Sequence, residues 1–383
     1  MSSFEVKGWC PGALRPMMSG DGLVVRVRPH GGRLTQTQAQ GIAIASKTHG
    51  SGVIDLSARA NVQLRGVRAD SHLALLDALA DLGLLDPDVE TETHRNLIVT
   101  PFWQAGDGTQ ILASAMEAAL AYAPTLPAKF GFAIDTGPAP VLTAVSTDIR
   151  LERSAGGTLI LRPDGAAFGK PVRAEEAPGA ALALAQWFLD TGGVTAGRGR
   201  MGAHIARGTP LPPGYTTAPA AASTPAGPGV NADGFLVGFE FGQLDADTLA
   251  ALAQLGALRI TPWRMLLIEG ATSLPEADGL ITDPADPRLR ITACTGAPGC
   301  PQALQPTRPL ARALAAHLPS GADLHVSGCA KGCAHPGPAP FTLTATASGF
   351  DLIQGGHASD TPTHAAMTPD AIRRHPETLF KAS

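Results

Sequence analysis

Cys294-Thr295-Gly296-Ala297-Pro298-Gly299-Cys300 and Gly328-Cys329-Ala330-Lys331-Gly332-Cys333 hold four of the five cysteines in this 383-residue chain. The spacing is Cys-x5-Cys, 28 residues, then Cys-x3-Cys. Each pair is short enough to serve one side of a cubic iron–sulfur cluster, and the intervening chain is long enough to bring the pairs together. Gly296, Gly299, Gly328 and Gly332 flank the thiols, so the backbone can approach closely and turn its N–H groups toward sulfur. A structural zinc site is the competing reading, but its pairs usually read C-x2–4-C, which the five-residue gap fits poorly. Clustering argues against four unrelated buried thiols. Thiols gathered in this way point to metal or catalysis rather than to disulfides. Cys10 stands apart from the group.

Outward from the cysteines, the chain divides at residues 209–229, a Pro-, Ala-, Thr- and Gly-rich stretch without apolar periodicity that reads as a linker. The two halves then look alike. Asp21-Gly22 opens a strand-like run to Arg28, followed by a helical pattern over 35–47, strands at 53–56 and 61–66, and a helix over about 70–82. Asp233-Gly234 opens a run to Glu240, a helical pattern covers 245–255, and a long strand-rich stretch runs from 258 to 270. Strand, helix, strand, strand, closing on Gly66 or Gly270, points to duplication. The fold class expected is α+β with a pseudo-twofold internal repeat. Its divisions are 1–90, 91–208, the linker 209–229, 230–285, and 286–383 with the cysteines.

Composition narrows the function classes. Hydrophobic content of 44% and charged content of 16% describe a globular chain. No apolar run is long enough to cross a bilayer, and residues 1–7 lack the form of a secretion signal, so a cytoplasmic location is expected. A net charge of −4 argues against a general nucleic-acid binder. Of the 29 basic residues 23 are Arg, which suits a substrate with several carboxylate arms, although a GC-rich genome enriches Arg as well.

The strings Ala293–Cys300 and Val326–Pro336 resemble the [4Fe–4S] ligand motifs of the nitrite/sulfite reductase superfamily. The resemblance covers nearly the whole chain apart from the linker. It implies two ferredoxin-like half-domains and two larger α/β lobes, with the cluster in the lobe at 286–383. Within the superfamily, Cys10-Pro11-Gly12-Ala13-Leu14-Arg15-Pro16-Met17, Ala58–Gly66 and Leu126–Phe132 look most like the branch that makes precorrin-3B from precorrin-3A in aerobic cobalamin biosynthesis. That branch implies an O2-dependent monooxygenase that hydroxylates a tetrapyrrole with γ-lactone formation. It also implies a mononuclear non-haem iron beside the cluster, and no permanent sirohaem. The alternative is a sirohaem-dependent nitrite or sulfite reductase. A third class is a non-catalytic electron-transfer protein.

The resemblance carries the reductases' anion-site residues onto Arg59, Arg95 and Lys129 as catalytic candidates, and a further lysine onto Gly131. The missing cation weakens the case for a small dianionic substrate, and Gly131 is expected to leave room for O2 or part of a bulkier substrate. Arg65, Asn61 and Asn96 are candidate contacts to carboxylate arms, and Arg198, Arg200 and Arg207 form a second basic string. Without the resemblance, Arg59, Arg65 and Arg95 read as surface or ion-paired arginines. Two His and a carboxylate would be an ordinary Fe(II) set, but the 11 histidines single out no ligands. No nucleotide-binding Gly-rich loop is visible, so electrons are expected from NADH through a separate reductase, or from a ferredoxin.

Overall fold

The computed structural model describes residues 10–275 and 277–380. Four sheets carry the chain. The first has the strand order 17–19, 22–27, 62–67, 53–56, 243–245 and is antiparallel. Another has the order 229–231, 234–239, 265–269, 258–260, 33–34, and is antiparallel as well. Each half-domain therefore completes its sheet with a short strand from the other. Leu244 pairs with Ile54, and Leu34 with Leu258.

Backbone conformation shows how deep the repeat runs. Gly31 and Gly32 turn left-handed at φ 58 and 71, and Phe241 and Gly242 repeat the turn at φ 57 and 70. Ala60 and Arg264 occupy matching turns at φ 53 and 62, two residues before strand 62–67 opens and one before strand 265–269. The helix over 36–49 begins where Thr35 Oγ1 accepts from Gln38 N and Gln38 Oε1 accepts from Thr35 N, a reciprocal cap. Its counterpart over 246–253 is capped by Asp245, which accepts from Thr248 N. Ile42, Ile54 and Leu64 from one half bury themselves with Leu249, Leu258 and Leu266 from the other, in one shared core.

The two lobes repeat each other too. Strands 97–99, 132–135 and 149–153 run parallel, with 159–163 and 170–171 added antiparallel. Strands 291–293, 324–327 and 339–346 run parallel, with 349–356 and 364–367 added antiparallel. Residues 209–229 do not hang free. Thr217 and Gly169 exchange backbone hydrogen bonds of 2.8 and 3.0 Å, Ala220 N donates to Arg153 O, and Ser223 N donates to Pro140 O. The stretch without periodicity is a strap laid along the first lobe, held by its own main chain. Among the described residues, no helix is long and apolar enough to cross a membrane.

Candidate functional site

The cysteines sit where neighbouring parallel strands end. Strand 291–293 delivers Cys294, and strand 324–327, paired with it through Ala293 and Val326, delivers Gly328 and Cys329. Cys294 Sγ accepts from Gly328 N at 3.1 Å, and Thr307 Oγ1 holds the Cys294 carbonyl at 2.6 Å. Cys300 N donates to Gly296 O, and Ser327 Oγ to Cys329 O. A side chain at Gly296 would strike Thr307, and one at Gly328 would stand 2.7 Å from Ala303 and 3.3 Å from the Cys294 sulfur. The flanking glycines are therefore required by close approach as well as by composition.

Cys333 shows that the four thiols share one neighbourhood. Although its surface is exposed, the packing around it pushes its thiol up to about 11, and the Cys294, Cys329 and Cys300 thiols add to the shift. Burial likewise raises Cys294. Thiols of this kind are protonated at neutral pH, and loading with metal must release their protons. Among the described residues, no three His, Cys, Asp or Glu side chains close on an ion-sized point. A four-iron core is a larger body whose thiolate ligands stand farther apart than those of one ion. Four neighbouring thiols with an N–H aimed at sulfur fit that group.

The first half-domain grips the cysteine loops. Gly299 O accepts from Gly20 N at 3.1 Å, Ser19 Oγ at 2.5 Å and Arg65 Nη2 at 3.3 Å. Arg65 is buried, forks onto Asp21 at 2.8 and 3.0 Å, and lies 3.7 Å from Asp55. Its guanidinium is thus committed to a carboxylate pair and a cysteine loop.

Arg26 and Arg28 lie farther along the same sheet. Four steps along the strand take the chain from Gly22 to Arg26, about 13 Å. Arg26 and Arg28 alternate with the core residues Val25 and Val27 and face a cavity of about 180 Å³, which Arg15, Arg59, Glu92, Asn96 and Cys10 also line. Arg28 is 8% exposed, its Nη1 lies 3.3 Å from Glu92, and its Nε has no partner among the described residues. Arg59 Nη2 donates to Lys129 O at 2.9 Å, while its Nη1 is buried without a partner among them. Burial is the main cause that lowers Arg26, to about 10, and also lowers Arg28 and Arg59. Guanidiniums crowded together out of water form a receptor for anions.

Of the residues proposed from sequence, Arg59 and Asn96 face this cavity. Arg95 does not line it. It is 5% exposed and forks onto Asp86 at 2.9 and 2.8 Å, so its charge is met inside the protein. Lys129 contributes its carbonyl to Arg59. Asn61 is buried, and its N–H donates to Ser57 Oγ. Gly131 opens no space: a Cβ there would lie 3.1 Å from Asn96 Nδ2 and 3.2 Å from Arg59 Nη1. The room expected at Gly131 is already filled by those two side chains. In the second basic string, Arg200 binds Asp148 and Ser146, and Arg207 binds His204. The mononuclear iron implied by the resemblance finds no ligand set: no three ligating side chains converge among the described residues. The arginine-lined cavity would also repel a dication.

Residues 15–82 match the family described as Nitrite/Sulfite reductase ferredoxin-like half domain. The solved structure of Mycobacterium tuberculosis NirA superposes with a TM-score of 0.65 over 93% of this chain and 79% of that one, at 18% identity. With the repeated half-domains and lobes, this defines a nitrite/sulfite reductase-like fold. A curated protein of Sinorhizobium sp., named Precorrin-3B synthase, is 31% identical over 93% of this chain and 84% of its own length. The chain belongs to the precorrin-3B synthase family.

Proposed function

We propose that this enzyme hydroxylates precorrin-3A with O2, with γ-lactone formation, and that Cys294, Cys300, Cys329 and Cys333 hold a [4Fe–4S] cluster. The observation that carries the reading is the cavity of Arg26, Arg28 and Arg59, which has unmet N–H groups in a buried wall. About 180 Å³ is too little for a whole tetrapyrrole, since pockets for drug-sized ligands start near ~300 Å³. It suits one carboxylate arm, which would take the Nε of Arg28 and the Nη1 of Arg59 as charge-assisted donors. The macrocycle would then lie between that cavity and the cysteine loops gripped by Ser19, Gly20 and Arg65.

A bound cluster would supply single electrons. The chain's own residues anchor the arm, exclude water from the guanidinium wall and fix the loops that carry the thiols. In the overall reaction one oxygen atom of O2 enters the substrate and the other leaves as water. Two electrons and two protons complete that balance, and an external donor, NADH through a reductase or a ferredoxin, supplies the electrons. No step is assigned to a mononuclear iron, because no ligand set for one gathers among the described residues. Anion reduction at a permanent sirohaem is the weaker reading: Arg95 is neutralised by Asp86, and no second lysine accompanies Lys129.

The test is Arg59→Ala. Loss of one charge-assisted contact, about 1.5–3 kcal/mol, should weaken precorrin-3A binding roughly 10- to 100-fold while the cluster absorption stays unchanged. Unaltered affinity would show that the cavity is not the binding face.

A further inference from the structure

Arg264 occupies the turn before strand 265–269 at φ 62, where its counterpart in the first half is Ala60. A long side chain in the left-handed region is strained, and such strain persists where the surroundings hold it. Its stem crosses Gly242, where a Cβ would stand 2.7 Å from the Arg264 Cβ. Its Nη2 donates to Ala334 O at 2.9 Å, next in the chain to Cys333. Arg308 is close enough for the two guanidiniums to repel each other. The Nη2 of Arg308 reaches Asp55 at 3.4 Å, and its Nε is buried without a partner among the described residues.

Charge around these loops does not balance. Arg65, Arg264 and Arg308 face two carboxylates, Asp21 and Asp55, and both of those already serve Arg65. Partly buried cations left over in this way favour an anion nearby. Thiolates at the four cysteines, with the iron and sulfide they would hold, are anionic and become more so on taking an electron.

We propose that Arg264, with Arg308 beside it, is a positioning residue that fixes the Cys333 loop and raises the reduction potential of the cluster. The proposal rests on the iron–sulfur reading above. Reduction adds one electron from the donor and makes or breaks no bond, so a fixed nearby cation favours the reduced form.

The experiment uses full-length, anaerobically purified protein, with EPR at poised potentials under dithionite and parallel iron and sulfide analysis. Arg264→Asn, a residue that tolerates φ above zero, should keep its iron and sulfide and show a more negative midpoint. Arg264→Lys should stay nearer the wild-type value. An unshifted midpoint in a fully loaded Arg264→Asn protein overturns the proposal. If that variant loses iron, Arg308→Gln is read in the same way, and an unshifted midpoint there overturns it. Wild-type protein without iron and sulfide overturns the cluster reading first, and this proposal with it.

Discussion

Arg59 and Arg95 came from the same resemblance, yet their surroundings assign them opposite consequences. Arg95→Ala would strand the buried Asp86 without its partner. Breaking such a pair costs about 3–5 kcal/mol, so the urea midpoint should fall sharply. A loss of stability under about 1 kcal/mol would show that the pair is not buried in solution. Arg59→Ala leaves no buried carboxylate behind, so its effect belongs to binding. For the thiols, Cys329→Ala should abolish cluster assembly, read as iron and sulfide per chain, whereas Cys10→Ser should leave both intact. Normal iron and sulfide in Cys329→Ala would refute the ligand assignment. The cysteines were legible because their spacing is itself the signal. Which arginine is neutralised was not, because that depends on side chains meeting in space. Arg26 and Arg28 left a trace: two like charges on one face of a strand whose other face, Val25 and Val27, is core. That alternation is readable in the sequence.

Strand 132–135 ends on Asp135, which is 2% exposed. Its Oδ2 accepts from Val141 N and Leu142 N at 2.7 Å each, while its Oδ1 has no partner among the described residues. Burial raises it to about 6, against those hydrogen bonds, and Glu152 raises it further. A carboxyl raised in the folded state adds stability that is full below its unfolded pKa, about 4, and is lost as pH rises through about 6. Asp135→Asn should therefore flatten the stability profile between those limits, removing a slope worth on the order of 3 kcal/mol. Urea midpoints across that range check it, and a slope identical to wild type would contradict the assignment. At this scale the sequence was readable where local chemistry marks an element. The helix expected over 35–47 lies at 36–49 because Thr35 and Gln38 announce its start. Strands 33–34 and 243–245 were not readable. Two or three residues carry no periodicity, and their partners lie about two hundred positions away in the chain.

The exchanged strands make the two halves one folding unit. Residues 1–208 alone would keep strand 53–56 without its neighbour 243–245 and expose half of the shared core. Made separately, that fragment and 230–383 should lack cooperative unfolding by circular dichroism, and mixing or co-expression should restore it. A lone fragment melting like the whole chain would contradict this interlocking. Duplication was visible as two similar strings, but exchange between the copies was not, since a repeat is silent about which copy a strand joins. At this scale the central claim is chemical: the Cys294–Cys333 loops and the arginine cavity serve one oxygenation. The most direct measurement supplies precorrin-3A, a reductant and isotopically labelled O2 to the anaerobically purified, iron-loaded enzyme, and weighs the product by mass spectrometry. One labelled oxygen atom in the tetrapyrrole is the predicted result. An unlabelled product, or protein that carries sirohaem and reduces sulfite while leaving precorrin-3A untouched, would contradict it.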